Sequence, residues 1–400
     1  MNLLRNGKIG VGTLAVAASF GVALGASASA SAPSRAAAIS ATSFTNNFSA
    51  LAALKPISAK GTGKIAAILP DTTSSTRYVE FDQPDLLAAA KAAGVPSGDM
   101  FVQNGHDSDT QFVTDAKSDI TNGVKVLLID PEDSGTGVTV ERYAASHGVK
   151  VINYDRLVLD GPADPYVSFN NVRVGQLIGQ GFVGCAASWL KGKKPQFIEM
   201  HGSPTDNNAT LFSQGYDSVL NPLERAGKIK QVANTAGTWN PTSPSPDALD
   251  EFKSAFTAHS NANSAVIPND ENAAPIITYL QSVGVKPHTF PTTGQDATLT
   301  GLDNILAGYQ CGTVYKPVYK EAGAAVALAV YLRAGQTPPA SLLNGSTTDP
   351  QNHQKVKSVL LTPTWVTPQN MKNTVVKDHF VPTSKLCAGT YRRDCSKYGI

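Results

Sequence analysis

Short apolar runs alternate with longer amphipathic segments along most of the chain. After "KIAAILP", residues 85–94 ("DLLAAAKAAG") have the spacing of a helix that ends on glycine. Then follow the helical "QFVTDAKSDITNG", the strand "VKVLLID", the helical "VTVERYAASHG" and the strand "VKVINYD". Continuous apolar runs separated by helices are typical of a parallel sheet covered on both faces.

A second series of similar size begins at "YVSFNN". It contains "VGQLIGQGFVGCAASWL", "QFIEMHG", "LFSQGYDSVLNPLERAG", "KQVANTAG", "DALDEFKSAFTAH", "SAVIPND", "AAPIITYLQSVG" and "HTFPTTGQD". Two such series predict an α/β protein with two doubly wound, parallel-sheet domains.

Polar residues gather where the predicted strands end. In "VKVINYDRLV" a buried-looking strand runs straight into Asp155 and Arg156, although successive side chains of an extended chain point to opposite faces and pair poorly. The same pattern recurs at Pro70-Asp71, Asp130, residues 202–208, Asn269-Asp270 and Gln295-Asp296. Ligands of open α/β sheets bind outside the carboxyl ends of the strands, so the pattern predicts a polar cleft. The alternative is that the strand simply reaches solvent.

The N-terminus has the pattern of a secretory signal peptide at residues 1–32. Arg5 and Lys8 precede an apolar run, and small residues with A-x-A spacing follow. An uncleaved anchor is the alternative, but the run is short for a membrane span and no charged stop follows. We therefore expect export to the periplasm, or to the outside in association with the cell surface. Residues 33–60, rich in Ala and Ser, are interpreted as a linker.

Composition and motifs exclude several functions. The 400 residues carry a formal net charge of +2, with 42% hydrophobic and 16% charged residues, which argues against an electrostatic nucleic-acid binder. No Gly-x-Gly-x-x-Gly follows the first strand, and no P-loop, Gly-x-Ser-x-Gly or His-Glu-x-x-His motif occurs. The sequence therefore indicates neither an enzyme nor a cofactor, and scattered His residues without CxxC spacing argue against a metal site.

Export permits disulfides between the four cysteines. Cys387 and Cys395 lie eight residues apart in an irregular tail, where we predict a local bridge. Cys185 and Cys311 remain, as two buried free thiols or as a second bridge.

The residue types at the strand ends fit a polyol ligand. Sugar hydroxyls donate to carboxylates and accept from Arg, Lys and Asn, and a guanidinium can bond two adjacent oxygens. The apolar faces of a sugar ring pack on Tyr or Trp.

An ordered set of stretches carries a more specific resemblance. These are "VINYDRLV", "YVSFNNVRVGQLIGQ", "GSPTDNNATLFSQGYDSVL", "SAVIPNDENAA", "TTGQDATLTGLDNILAGYQCGTVYKP" and "VKSVLLTPTWVTPQNMKNTVVKD". Together they resemble the periplasmic xylose-binding proteins of ABC transporters, within the ribose- and galactose-binding group of type 1 solute-binding proteins. The resemblance implies two Rossmann-like domains joined by a hinge, which close on a sugar.

The resemblance also implies domain boundaries. The N-terminal lobe would comprise residues 61–168 and about 315–340, and the C-terminal lobe residues 169–314 and about 341–380. Residues 381–400 would form a cysteine-containing tail.

Nine positions match the sugar contacts of the family. They are Arg77, Tyr78, Asp155, Arg156, Asn208, Trp239, Asn269, Asp296 and Lys316. Each also has a structural alternative: Asn and Asp favour turns and helix N-caps, Lys316 could be a solvated hinge residue, and the aromatics could be ordinary packing. The chain departs from the family at Ser213, where the family often has Arg, and in the Thr/Ser-rich "DTTSSTRY". We expect both changes to reach the pocket.

The resemblance implies the binding component of a sugar importer. It would be a monomer that captures xylose or a related pentose or hexose and delivers it to an ABC permease in the membrane. The alternatives are an exported sugar sensor that presents its ligand to a membrane receptor, and a secreted enzyme acting on carbohydrate.

Overall fold

The computed structural model describes residues 39–162 and 164–400. The predicted signal peptide and the first residues of the predicted linker lie outside the described residues. Among the helices in these ranges, none is both long and apolar enough to cross a membrane.

Strands and helices alternate as the apolar pattern predicts. The strands are β1 Lys64–Leu69, β2 Met100–Asn104, β3 Val124–Ile129, β4 Lys150–Tyr154, β5 Tyr166–Phe169, β6 Gln196–Glu199, β7 Lys230–Asn234, β8 Ser264–Val266, β9 Gly294–Gln295, β10 Thr313–Tyr315, β11 Gly345–Thr348, β12 Lys355–Leu361 and β13 Thr364–Val366. The helices are α1 Lys55–Ser58, α2 Gln83–Ala92, α3 Asp109–Thr121, α4 Ser134–Ser146, α5 Asn171–Trp189, α6 Asn207–Arg225, α7 Ala248–Ala258, α8 Asp270–Ser282, α9 Leu299–Leu306, α10 Val318–Arg333, α11 Thr383–Leu386 and α12 Arg392–Tyr398.

The first lobe is built on a seven-stranded sheet with the order β11-β12-β5-β4-β3-β1-β2. Its strands are parallel except for the antiparallel pair of β11 and β12. Ile65 and Ala67 belong to the apolar cluster with α2 and α10, whereas Ala66 and Ile68 belong to the cluster with α3 and α4. Because helices cover both faces of the sheet, the sequence of β1 is a continuous run of apolar residues after Lys64. The edge strand β2 is only half-buried, and the apolar pattern did not indicate it.

The second lobe contains two three-stranded sheets, β7-β6-β8 and β9-β10-β13. The sheets meet edge to edge between β8 and β9, where the Thr293 hydroxyl accepts a hydrogen bond from the Ile267 amide (2.8 Å) and donates to its carbonyl (2.9 Å). The Thr293 side chain thus supplements the backbone bond from the Ala265 amide to the Pro291 carbonyl (2.9 Å) at the join. Only β13 is antiparallel to its neighbour, so the predicted α/β fold with parallel-dominated sheets is confirmed.

The chain passes between the lobes three times: after β5, after β10, and between β12 and β13. The sequence-based boundaries placed residues 341–380 in the second lobe. β11 and β12 instead extend the first sheet, with β12 pairing with β5, and β13 alone returns to the second lobe's sheets. An apolar run marks a strand, but it does not specify which sheet the strand joins.

Residues 39–60 are packed structure, which corrects their interpretation as a linker. Within them, a 3-10 helix at Ser49–Leu54 leads into α1. Five of their large apolar side chains are at most 5% exposed: Ile39, Phe44, Phe48, Leu51 and Leu54. The Phe44 ring lies against Gly323 of α10. These apolar residues are too widely spaced among Ala and Ser to give a periodic signal.

Both cysteine pairs form disulfides. Cys387–Cys395 closes the C-terminal tail, as predicted. Cys185–Cys311 ties α5 to the segment before β10, which decides the alternative that the sequence left open.

Candidate functional site

Two residues of opposite charge, Asp155 and Arg156, directly follow β4. Asp155 adopts a left-handed backbone conformation (φ 58°), which Asp tolerates better than most residues. Its carbonyl accepts hydrogen bonds from the Tyr166 hydroxyl (2.8 Å) and the Asn208 amide (3.1 Å). With the turn fixed in this way, the neighbouring side chains of Asp155 and Arg156 both line a single cavity between the lobes.

Arg77 is held in place by carboxylates on several elements. Its guanidinium donates to both oxygens of Asp82 (2.8 and 2.7 Å) and to Glu321 (2.7 Å). The remaining nitrogen, Nη1, lies 3.2 Å from Asp155 Oδ1. Burial disfavours the charge of Arg77, but the Asp155, Asp82 and Glu321 carboxylates outweigh burial and raise its pKa. Arg77 is therefore a fixed cation with one nitrogen directed at the cavity-lining Asp155.

Arg156 connects the two lobes. Its guanidinium donates to Glu132 (3.0 Å) and to the Tyr78 hydroxyl (3.2 Å) in the first lobe. Nε lies 3.2 Å from Asp206 Oδ2 in the second lobe. Asp206 also accepts a hydrogen bond from the Trp239 indole (2.9 Å), so this carboxylate orients a cation and an aromatic ring together.

Lys316 lies between the carboxylates of the two lobes. Its Nζ is 3.3 Å from Asp296 Oδ1 and 3.9 Å from Asp155 Oδ1. Although burial opposes its charge, Asp296 and Asp155 raise the pKa of Lys316. Burial also opposes the charge of Asp155, but Arg77 and Lys316 lower its pKa. Both groups are therefore charged in this arrangement, and Lys316 is not a solvated hinge lysine, since it is 3% exposed.

Asn269 and Asn208 line the cavity and also form hydrogen bonds that stabilise the local structure. Asn269 caps α8 by accepting from the Asn272 amide (3.1 Å), and its own amide donates to Ser74 O across the cleft (3.2 Å). The Asn208 side chain accepts from Asn171 (2.7 Å) while it donates to the Asp155 carbonyl. The N-cap alternative is therefore correct for Asn269, and it coexists with a place in the cavity wall.

All nine sequence-predicted residues line this narrow cavity. Five further residues line the cavity: Ser74, Ser75, Asp206, Phe212 and Gln295. The sequence placed Asp206 and Gln295 at polar strand ends, and Ser74 and Ser75 in a stretch expected to reach the pocket, without naming them as contacts. Phe212 gave no signal because an apolar residue in an amphipathic helix is indistinguishable from a core residue.

Ser213 does not reach the cavity, which corrects the expectation from the sequence. Its hydroxyl donates to the Ala209 carbonyl (2.9 Å) and lies 3.1 Å from His201 Nδ1. The preceding Phe212 occupies the cavity wall instead. The other departure does reach it, since Ser74 and Ser75 of "DTTSSTRY" line the cavity.

The charges of the cavity wall balance. Three carboxylates and three cations line it: Asp155, Asp206, Asp296, Arg77, Arg156 and Lys316. Four buried polar atoms of the wall form no hydrogen bond among the described residues. Arg77 Nη1, Asp155 Oδ1 and Asp296 Oδ1 are held by ion pairs instead, and Gln295 Oε1 has no partner there. The wall thus offers both a donor and acceptors without favouring a charged molecule.

The lobes contact each other around the cavity, so the structure is in a closed arrangement. The Ser75 hydroxyl donates to Asp296 (3.1 Å), and the Thr76 amide and hydroxyl both donate to Glu271 Oε1 (3.1 Å each). These bonds join the loop after β1 in the first lobe to β9 and α8 in the second.

Comparisons with known proteins agree with this geometry. Residues 65–337 match the family described as "Periplasmic binding protein domain". The D-xylose-binding periplasmic protein of Escherichia coli K12 is 36% identical over 307 residues, which are 76% of this chain and 88% of that protein. The multiple sugar-binding periplasmic receptor ChvE of Rhizobium radiobacter is 30% identical and covers 83% of this chain and 94% of its own length.

Solved structures show the same fold. A carbohydrate transporter solute-binding protein from Chloroflexus aurantiacus, in complex with D-glucose, aligns with a TM-score of 0.70 at 24% identity. The alignment covers 80% of this chain and 97% of that one. By its sequence match, its relatives and its two-lobed fold, the chain belongs to the periplasmic binding protein family.

Proposed function

We propose that the protein is the binding component of a sugar ABC importer. It captures one uncharged monosaccharide between the lobes and presents the closed form to a membrane permease. The observation that carries this proposal is the cavity wall, with balanced charges and buried polar atoms on both lobes that form no hydrogen bond among the described residues. Each unpartnered buried group costs about 1–3 kcal/mol, and hydroxyl groups can both donate to and accept from these atoms.

The ligand we propose is a pentose or hexose, with xylose as the first candidate. Trp239, Phe212 and Tyr78 supply aromatic surface for the apolar face of that ring. Relatives that are named for D-xylose and for multiple sugars support this class.

We propose binding without turnover. The relatives and the structural neighbours are binding proteins, and both cavity carboxylates are paired with cations, Asp155 with Arg77 and Asp296 with Lys316. Incubation of the protein with its sugar would leave the sugar chemically unchanged, and product formation would contradict this part of the proposal. We also propose that the protein is exported and acts as a monomer, which light scattering of the purified protein tests.

An exported sugar sensor is the second candidate. The relative from Rhizobium radiobacter carries the word "receptor" in its name, and the same cavity could report occupancy to a membrane receptor. Pull-down of the sugar-loaded protein with an ABC permease, or with a receptor kinase, distinguishes the two candidates.

A ligand screen tests the proposal. Purified protein is measured by thermal shift with pentoses, hexoses, sugar alcohols and amino acids, and any hit is titrated by calorimetry. A molecule that binds only the folded state raises the melting temperature by mass action. We expect a shift with at least one monosaccharide and none with amino acids. A folded protein that responds to no sugar would contradict the proposal.

A further inference from the structure

The last residues of the chain belong to the second lobe by their packing. Met371, Val375, Leu386 and Cys395 are buried in one apolar cluster with residues of α9 such as Leu302. Cys387–Cys395 closes the segment on itself. The matched family region ends at residue 337, so this segment lies outside it.

An aromatic side chain of this segment contacts the first lobe. The Phe380 ring stacks on the Phe81 ring with 3.9 Å between centroids and 15° between planes. The Tyr315 ring packs against the other ring of this pair, Phe380, with 4.9 Å between centroids and 62° between planes. Phe380 is 8% exposed and Phe81 is partly buried, so the stack is largely shielded from solvent.

Hydrogen bonds fix the position of Phe380. Two residues earlier, Asp378 Oδ2 accepts from the hydroxyls of Tyr315 and Tyr319, each at 3.1 Å. The Asp378 carbonyl accepts from the Asn46 amide at 3.0 Å. Tyr315, Tyr319 and Asn46 therefore hold the turn that leads to Phe380.

Phe81 lies in a π-helical turn, Tyr78–Asp82, that also carries binding-site residues. Tyr78 lines the cavity, and Asp82 binds the Arg77 guanidinium through both oxygens. A π-helical turn is intrinsically unfavourable and persists where tertiary contacts support it, often at functional sites. The Phe81–Phe380 stack supplies such a contact.

We infer that Phe380 is a positioning residue for the binding site: it holds the Tyr78–Asp82 turn in its binding geometry and joins the C-terminal segment to the first lobe in the closed arrangement. The inference rests on the proposed function for its effect on sugar affinity. Its structural part does not, because the order of the turn can be measured without a sugar.

Substitution of Phe380 tests the inference in two ways. In Phe380→Ala we expect the dissociation constant for D-xylose or D-glucose, whichever the wild-type protein binds, to rise about threefold to tenfold through loss of the stack. Phe380→Tyr keeps the ring and is expected to retain the affinity within about twofold. Leu302→Ala removes packing from the same apolar cluster but keeps both rings of the stack, and should lower the melting temperature but leave the affinity unchanged.

Hydrogen exchange of peptides covering residues 76–83 gives the sugar-independent measurement. We expect faster exchange in Phe380→Ala than in the wild type, and no change in Leu302→Ala. Unchanged exchange in Phe380→Ala overturns the inference, whatever the sugar result. If exchange is faster but the wild type binds no sugar, the proposed function fails while the positioning of the turn stands. Unchanged sugar affinity in Phe380→Ala, with binding intact in the wild type, overturns the role in binding.

Discussion

Asp155 is the residue on which the charge balance of the cavity depends most directly, because its Oδ1 faces both Arg77 (3.2 Å) and Lys316 (3.9 Å). Asp155→Asn leaves three cations against two carboxylates in the wall. We expect sugar affinity to fall about tenfold or more, since a hydrogen bond to a charged group is worth about 1.5–3 kcal/mol. Calorimetric titration measures the change, with Asp250→Asn, whose side chain is 67% exposed, as the matched control. Equal loss in both variants would contradict a specific role.

Arg77 has a structural role as well as a place in the cavity wall. Removing its guanidinium leaves Asp82 and Glu321 buried, each 0% exposed, without their cation. Arg77→Met is therefore expected to lower the free energy of unfolding by about 3–5 kcal/mol, measured by urea denaturation. The control is Arg142→Met, whose side chain is 68% exposed at a 3.6 Å ion pair and should change stability by less than about 1 kcal/mol. A loss of similar size in both would argue against the buried network.

At the scale of elements, the N-terminus of α8 couples closure to pH. Burial, together with the nearby Asp296 and Asp270 carboxylates, raises the pKa of Glu271 to about 8 in the closed arrangement. The pKa of an exposed Glu is about 4.3. Between about pH 4.3 and pH 8, Glu271 is therefore ionised when it is exposed and protonated in the closed arrangement, so closure takes up a proton. The raised pKa means that closure is favoured at low pH and weakens as the pH rises towards 8.

We therefore expect sugar affinity to be several-fold higher at pH 6 than at pH 8. Glu271→Gln cannot ionise and keeps a carbonyl to accept from Thr76, so its affinity should depend less on pH. Asp250→Asn should behave as the wild type. Calorimetry at both pH values measures this, and an identical pH dependence in the wild type and Glu271→Gln would contradict the assignment.

The two disulfides differ in the length of chain that they close. Cys185–Cys311 spans 126 positions and Cys387–Cys395 only 8. Since cross-linking a longer loop restricts the unfolded chain more, we expect the double variant Cys185→Ala/Cys311→Ala to lose about 2 kcal/mol more stability than Cys387→Ala/Cys395→Ala. Denaturant titration compares the pairs, and equal losses would show that local packing outweighs loop entropy.

At the scale of the whole molecule, three chain crossings allow the lobes to rotate about one hinge. Contacts across the cleft, such as Thr76 to Glu271, form only when the lobes close. We expect saturating sugar to reduce the radius of gyration measured by X-ray scattering, and Asp155→Asn to require more sugar for the same change. A radius that does not respond to bound sugar would contradict closure.

Much of this organisation could be read from local patterns. The alternation of apolar runs and helices depends on neighbours two to four residues apart, so β1, β3 and β4 and their helices were predictable. That these nine residues would line one cavity was predictable, because polar residues at strand ends coincide with an ordered set of family-like stretches, and their role as sugar contacts stays a prediction. The edge strand β2 and the packed residues 39–60 were not, since half-buried or widely spaced apolar residues produce no clear period.

The sequence by itself determined the α/β class, the placement of charge at the strand ends and the bridge between two nearby cysteines, because these depend on short stretches of chain. Only the tertiary structure decided that β12 joins the first sheet, that Cys185 meets Cys311 and that Phe212 rather than Ser213 lines the cavity. It also decided that Phe380 stacks on Phe81. Each of these depends on which distant segment a residue meets, and that choice is made by the packing of the whole molecule.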